Sequence, residues 1–240
     1  MGSEMCIRDR KVHSRGQELF DQDFEKGMDR WSDLSKLDRP VGFKSNVGLY
    51  DLVTTLPKEG LQEAELILLE DEEGLELLRH SCAHVLAQAV KELFPETQVT
   101  IGPVIADGFY YDFARNVPFK DEDLPVIEKK MKEIIKRKYS MKREEWDIKK
   151  ALDYFDGINE PYKCEIIRDL VEEQKINSVS VYQQGDFIDL CRGPHIPKLN
   201  WINAFKLTKV AGAYWRGDEN NVMLTRIYGT AFATKEKLKE

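Results

Sequence analysis

The chain has 240 residues, 42% of them hydrophobic and 33% charged, enough for one large domain or two small ones. No apolar run approaches the roughly 18 residues that cross a bilayer, and no secretory signal is recognised, so a cytoplasmic protein without a membrane partner is expected. The net charge of −7 and four cysteines, two of them beside histidines, argue against a general polyanion binder and a disulfide framework.

Residues 1–40 show no sustained periodicity and are treated as an unassigned, non-native leader. Between Val41 and Glu70, apolar runs at Val47–Tyr50 and Ala64–Leu69 flank a turn at Pro57–Gly60, which predicts the end of a small β-rich module. A helix follows. Asp71, Glu72 and Glu73 place negative charge at the positive end of its dipole, Leu78, Cys82, Val85, Leu86, Ala89 and Leu93 form one apolar stripe, and Pro95 ends it. His80 and His84 fall nearly opposite that stripe, on a face shared with Ser81, Gln88 and Lys91. That face is expected to look into a cleft.

Val99–Ile105 reads as a strand, Asp107-Gly108 as a turn and Phe109–Phe113 as the returning strand. Asp123 and Pro125 open a second helix with Ile127, Met131, Ile134 and Ile135 on one side. Further helices are expected over Ile148–Phe155, stopping at Gly157, and over Tyr162–Leu170. Strands resume at Ser178–Gln183 and Phe187–Leu190, then at Phe205–Trp215 and Val222–Tyr228, and Lys235–Glu240 reads as the start of a helix. The predicted class is α+β, with helices packed on antiparallel sheet.

Charge is segregated along the chain. Residues 51–79 carry nine acids against two bases, residues 125–150 ten bases against five acids, and residues 198–240 eight against four. Basic stretches on an acidic chain can face phosphate; the plainer reading of 125–150, which we favour, is the solvated face of an amphipathic helix.

Chemistry concentrates in His80-Ser81-Cys82-Ala83-His84 and Cys191-Arg192-Gly193-Pro194-His195. Two histidines at i and i+4 of a helix converge on one point, and a Cys and a His around Gly-Pro suit a tight turn. Three imidazoles and a thiol make a tetrahedral zinc set. The same groups also work without metal, one imidazole as general base for water and the others orienting it, and either motif alone fits a purely structural role. Asp189 projects from the same strand face as Cys191 and is a candidate ion-pair partner for Lys163, whereas Tyr111 reads as core. A zinc protease is excluded, because Ser81 stands where that motif needs glutamate.

Arg79–His84, Ile101-Gly102-Pro103-Val104-Ile105 with Gly108–Asp112, Asp189–Pro197, Ala211–Asp218 and Arg226–Ala231 together closely resemble the amino-terminal editing region of threonyl-tRNA synthetase. The likeness runs from about Glu70 to the end in the family's order. It implies an editing domain of the threonyl/alanyl-tRNA synthetase type over 71–232, a partial ubiquitin-like module over 41–70, and a linker helix beginning at 233–240. It also implies hydrolysis of serine wrongly esterified to threonine tRNA, because one methyl gives a synthetic site only about 1–3 kcal/mol of discrimination.

On that resemblance His80, His84, Cys191 and His195 form the pocket core, with Lys163, Asp189 and Tyr111 nearby, His80 activating water and Lys163 holding or protonating the ribose oxygen. The expected partner is the acceptor end of threonine tRNA. The related alanyl domains hold zinc with a similar set and the threonyl ones are described as metal-free, so no cofactor is required and zinc stays open. ATP, the ligase's own zinc and its homodimer contacts belong to a catalytic core outside this chain, which is expected to edit but not to aminoacylate.

Overall fold

The computed structural model describes residues 40–45, 48–51 and 64–239, with side chains from residue 67 onward. Residues 1–39 and the Pro57–Gly60 turn lie outside the described residues. Strands β1 (Pro40–Ser45), β2 (Gly48–Asp51) and β3 (Ala64–Leu68) form an antiparallel sheet in the order β2-β1-β3. Helix α1 (Glu72–Leu93) follows directly.

A five-stranded antiparallel sheet packs against α1. It comprises β4 (Gln98–Val99), β5 (Val104–Ile105), β6 (Gly108–Ala114), β10 (Ala204–Tyr214) and β11 (Met223–Phe232), in the order β10-β11-β6-β4 with β5 beside β6. Alternation along β6 sends Phe109, Tyr111 and Phe113 into the core with Leu78, Cys82, Val85 and Leu86 of α1, as period-two burial requires. Helix α2 (Leu124–Lys136) carries Pro125 in its first turn and buries Leu124, Ile127, Met131, Ile134 and Ile135, the predicted stripe with one addition.

A second, smaller core lies beneath β7 (Met141–Asp147), β8 (Ser178–Gln184) and β9 (Phe187–Leu190). Helices α3 (Ile148–Gly157) and α4 (Pro161–Gln174) cover it, with Trp146, Ala151, Phe155, Cys164, Ile167, Val179 and Val181 inside.

Three expectations change. The strand predicted over Val99–Ile105 is split into β4 and β5, because Pro103 brings no N–H to a ladder; its carbonyl still accepts from Tyr110 N–H at 3.2 Å. Residues 235–239 are turns rather than a helix, in keeping with the cost of nucleating so short a segment. Most consequentially, the helix face opposite the apolar stripe is not simply a cleft wall: Ser81, His84 and Gln88 are 0%, 3% and 3% exposed.

The joint between β3 and α1 is tight. Asp71 Oδ2 accepts the Leu68 N–H at 2.9 Å, and a Cβ added at Gly74 would lie 1.9 Å from the Leu68 carbonyl oxygen. Alanine in place of an interior helical glycine ordinarily gains about 1 kcal/mol. Here the sign should invert: Gly74→Ala should lower the denaturation midpoint, and a gain would show that the contact is dispensable.

Candidate functional site

The middle of α1 supplies His80, Ser81 and His84, and the end of the β8–β9 hairpin supplies Asp189, Cys191 and His195. Cys191 N–H donates to Ser180 O at 3.2 Å and Ser180 Oγ donates to Cys191 O at 2.7 Å, which carries the register of β8 into the loop. Gly193 has φ +76°, and a Cβ there would sit 2.0 Å from the Tyr182 hydroxyl; only glycine meets both conditions. The loop is then latched to α1, because Ile196 N–H donates to Ser81 Oγ at 3.0 Å.

The thiol lies at the centre. Cys191 Sγ is 3.3 Å from His80 Nε2 and 3.3 Å from His195 Nε2, and Gly193 N–H points at the same sulfur from 3.2 Å. The His84 and His195 rings are 4.3 Å apart, centre to centre. The surrounding hydrogen bonds assign the tautomers. Pro194 O, 3.1 Å from His80 Nδ1, can only accept, so that nitrogen carries the proton. Ser81 Oγ spends its proton on Leu77 O at 2.8 Å, so His195 Nδ1, 3.2 Å away, must donate to it. In the neutral rings both Nε2 atoms are then acceptors, and both face the one sulfur.

Beside this cluster lies a buried charged group. Lys163 Nζ is 2.6 Å from Asp189 Oδ1 with both side chains at most 2% exposed, a close buried ion pair. Tyr111 hydroxyl donates to Asp189 Oδ2 at 2.7 Å and accepts from Lys163 at 3.0 Å. His84 Nε2 stands 3.8 Å from the same carboxylate oxygen. Burial pushes the Asp189 carboxyl up, but the Lys163 ammonium, His84 and the Tyr111 hydroxyl outweigh it and hold it below the usual carboxylate range. Burial lowers His84 to about 3 against the pull of Asp189, and burial with the neighbouring imidazoles puts His195 well below the ordinary value. Both are neutral at physiological pH, and burial together with Asp189 keeps Tyr111 protonated.

His80, His84 and Cys191 of the cluster and the Lys163–Asp189–Tyr111 group line one cavity of about 760 Å³, with His195 fully buried behind them. Thr100–Val104, α4 and the face of the β7-β8-β9 sheet make its other walls, with apolar Ile101, Ile166 and Leu170 and the cations of Arg143 and Arg192. Six of the seven residues singled out in the sequence line this cavity, and the seventh, His195, reaches it through its contact with Cys191. Tyr111, read as core, is both core and part of the site. The part played by Ser81 was missed beyond its placement on the histidine face; its imidazole partner lies 114 residues away, which no local pattern reports.

His80, His84, Cys191 and His195 each offer one ligand atom, all within 4.8 Å of one another. A tetrahedral zinc ion would space them about 3.3–3.8 Å apart. Sγ lies 3.3 Å from each of two Nε2 atoms, and those two rings have their Nδ1 atoms beside oxygen, as metal-bound histidines do. His84 Nδ1 is buried without a hydrogen-bond partner, so the chemistry of the donor set fits zinc.

Fold and site together define a tRNA synthetase accessory domain. Residues 179–228 match the family described as "Threonyl and Alanyl tRNA synthetase second additional domain", and the α+β architecture is of that editing-domain type. The homologues of the chain are threonine--tRNA ligases. It is 53% identical over 202 residues to that of Wolbachia pipientis subsp. Culex pipiens (strain wPip), covering 84% of this chain and 31% of the relative. It is 53% identical over 216 residues to the ligase of Bartonella bacilliformis, 89% of this chain and 32% of the relative, and 56% identical over 177 residues to that of Nitrosomonas europaea, 73% and 27%. The chain thus spans about a third of the length of these relatives. Among the described residues no helix is long and apolar enough to cross a membrane.

The neutral histidines set a pH dependence. Unfolded, His84 and His195 take up protons below about pH 6.5; folded, they resist until far lower. Stability of the metal-free protein should therefore fall on acidification from about pH 6.5 toward pH 3, by up to about 1.4 kcal/mol per pH unit for each histidine. Asp189 adds a loss of the same sign below about pH 4. Urea midpoints between pH 7 and pH 4 measure this, and His84→Gln should flatten the slope.

Proposed function

We propose that this domain hydrolyses the ester that joins serine, wrongly attached, to the 3′-terminal ribose of threonine tRNA. The observation that carries the reading is the pair of imidazole Nε2 atoms 3.3 Å from the Cys191 sulfur, beside a buried Lys163–Asp189 pair that lines the same cavity. The names of the relatives supply the substrate: a threonine site gains only about 1–3 kcal/mol against serine from one methyl, which calls for a second, hydrolytic sieve.

His84 and His195 are deeply buried, so His80, at the cavity edge, is the base. Its Nε2 takes a proton from water as the water oxygen bonds to the ester carbonyl carbon. The bond from that carbon to the ribose oxygen then breaks, and the departing oxygen takes up a proton with Lys163 as donor. Asp189 holds Lys163 in place, and the thiol with Gly193 N–H holds water and carbonyl in register. Such positioned proton transfers contribute about 10²–10⁴-fold. The partner is the acceptor end of tRNA in the cytoplasm.

A second reading is supported by the unpartnered His84 Nδ1: a zinc-dependent hydrolase of another ester or amide. A zinc ion held by His80, His84, Cys191 and His195 would supply Lewis acidity. Four protein ligands, however, close a tetrahedral site, and catalysis would require one of them to leave.

The purified chain should release serine from serine-charged threonine tRNA without ATP and largely spare the threonine-charged form. Cys191→Ala and His80→Ala should each lose about 10²–10⁴-fold in rate with unchanged tRNA affinity and melting temperature. Equal hydrolysis of both charged tRNAs would defeat the assignment. Loss of activity with chelator and recovery with zinc would favour the second reading.

A further inference from the structure

The two basic stretches of the chain behave differently once folded. In 125–150 the cations are largely consumed: Lys130 and Arg137 pair with Glu92, Lys132 with Glu128 and Lys149 with Asp153. This is the solvated helix face expected from the pattern. The cations of β10 and β11 instead gather on the outer face of the five-stranded sheet, the side away from α1.

There β11 pairs Tyr228 with Tyr110 and Arg226 with Asp112, and β10 places Lys209 beside Tyr228. The Arg226 guanidinium stands 3.7 Å from the centre of the Tyr110 ring, the two tyrosine rings are 5.6 Å apart, and Lys209 Nζ is 4.6 Å from the Tyr228 ring. Both oxygens of buried Asp112 grip Arg226, at 2.7 and 2.8 Å, which fixes the guanidinium plane. Lys206 and Lys209 are exposed, and no ion pair engages either among the described residues. The row runs on to the lip of the cavity. Asp112 O accepts the Thr100 N–H at 3.2 Å and the Thr100 hydroxyl at 2.8 Å, and Asp112 N–H donates to Ile101 O at 3.0 Å; Thr100 and Ile101 line the cavity.

We propose that Tyr110, Arg226, Tyr228 and Lys209, with Lys206 beyond them, form a platform for unpaired nucleotides that precede the ester-bearing nucleotide of the substrate. The proposal rests on the tRNA-ester reading above. Aromatic faces at stacking distance interleaved with cations accept bases and phosphates of a single strand without reading sequence. Net positive charge on a sheet face with little apolar area opposes a hydrophobic protein partner.

The test uses the full chain and three variants, Tyr228→Ala, Lys209→Glu and, as the comparison, Lys136→Glu on α2. Substrates are serine-charged threonine tRNA and 3′-O-seryl-adenosine, which has no phosphate and no preceding nucleotide; a fluorescein-labelled RNA tetranucleotide reports binding by anisotropy. Tyr228→Ala should raise KM for the charged tRNA about 5- to 150-fold, the factor for one lost stacked base, with kcat and seryl-adenosine hydrolysis unchanged. Lys209→Glu should weaken tetranucleotide binding and flatten its salt dependence, while Lys136→Glu alters neither. Unchanged KM and affinity in both platform variants overturns the proposal, as does an equal loss with Lys136→Glu or an effect confined to oligomeric state. If the wild-type chain hydrolyses neither substrate, the ester-hydrolase reading fails, and the tetranucleotide measurement still decides the platform.

Discussion

A helix buried on every side must find a partner inside the protein for each polar group it carries, and α1 carries several. Arg79 reaches the carbonyl oxygens of Ala231 and Ala106, Ser81 those of its own helix and the N–H of Ile196, and Gln88 meets Gln184. An unsatisfied buried group costs about 1–3 kcal/mol, so these contacts dictate where the five-stranded sheet and the Cys191–His195 loop sit against the helix. The site follows from that arrangement. His80 and His84 meet Cys191 and His195 because Ser81, between them in sequence, already binds the loop.

The long, periodic elements were legible because their large apolar side chains fall on one side. The stripe of α2 and the alternation of β6 came through intact, as did the hairpin that delivers Asp189 to the loop. The environment of α1 was not legible: a second buried face composed of Ser, His and Gln looks like a solvated one until its partners, about a hundred residues away, are in place. The seven site residues were legible by chemistry and by resemblance, and Asp189–Lys163 as a candidate pair. The depth of that pair and the direction of the histidine lone pairs depend on tertiary contacts with Ser81 and Pro194, which leave no trace in local spacing.

Electrostatically the site keeps two compartments apart. On one side three imidazoles share a buried volume, and desolvation holds His84 and His195 neutral, since neighbouring imidazolium charges there would repel. On the other, Lys163 and Asp189 are both charged and compensate each other. Breaking such a buried pair typically costs about 3–5 kcal/mol because one charge is left behind, which makes Tyr111, bonded to both, as much a structural brace as a wall of the cavity. His84 joins the compartments through its 3.8 Å approach to Asp189.

The geometry around the sulfur separates two of the histidines. His80 and His195 each place Nε2 3.3 Å from the Cys191 sulfur, but His195 is fully buried while His80 keeps part of its surface at the cavity. On the hydrolytic reading proposed above, water would meet His80 at that open edge of the cluster. His195, fully enclosed and committed to Ser81 through Nδ1, cannot exchange roles with His80. The asymmetry between two chemically identical side chains comes from the hydroxyl of Ser81, the residue whose presence also excludes the zinc-protease motif.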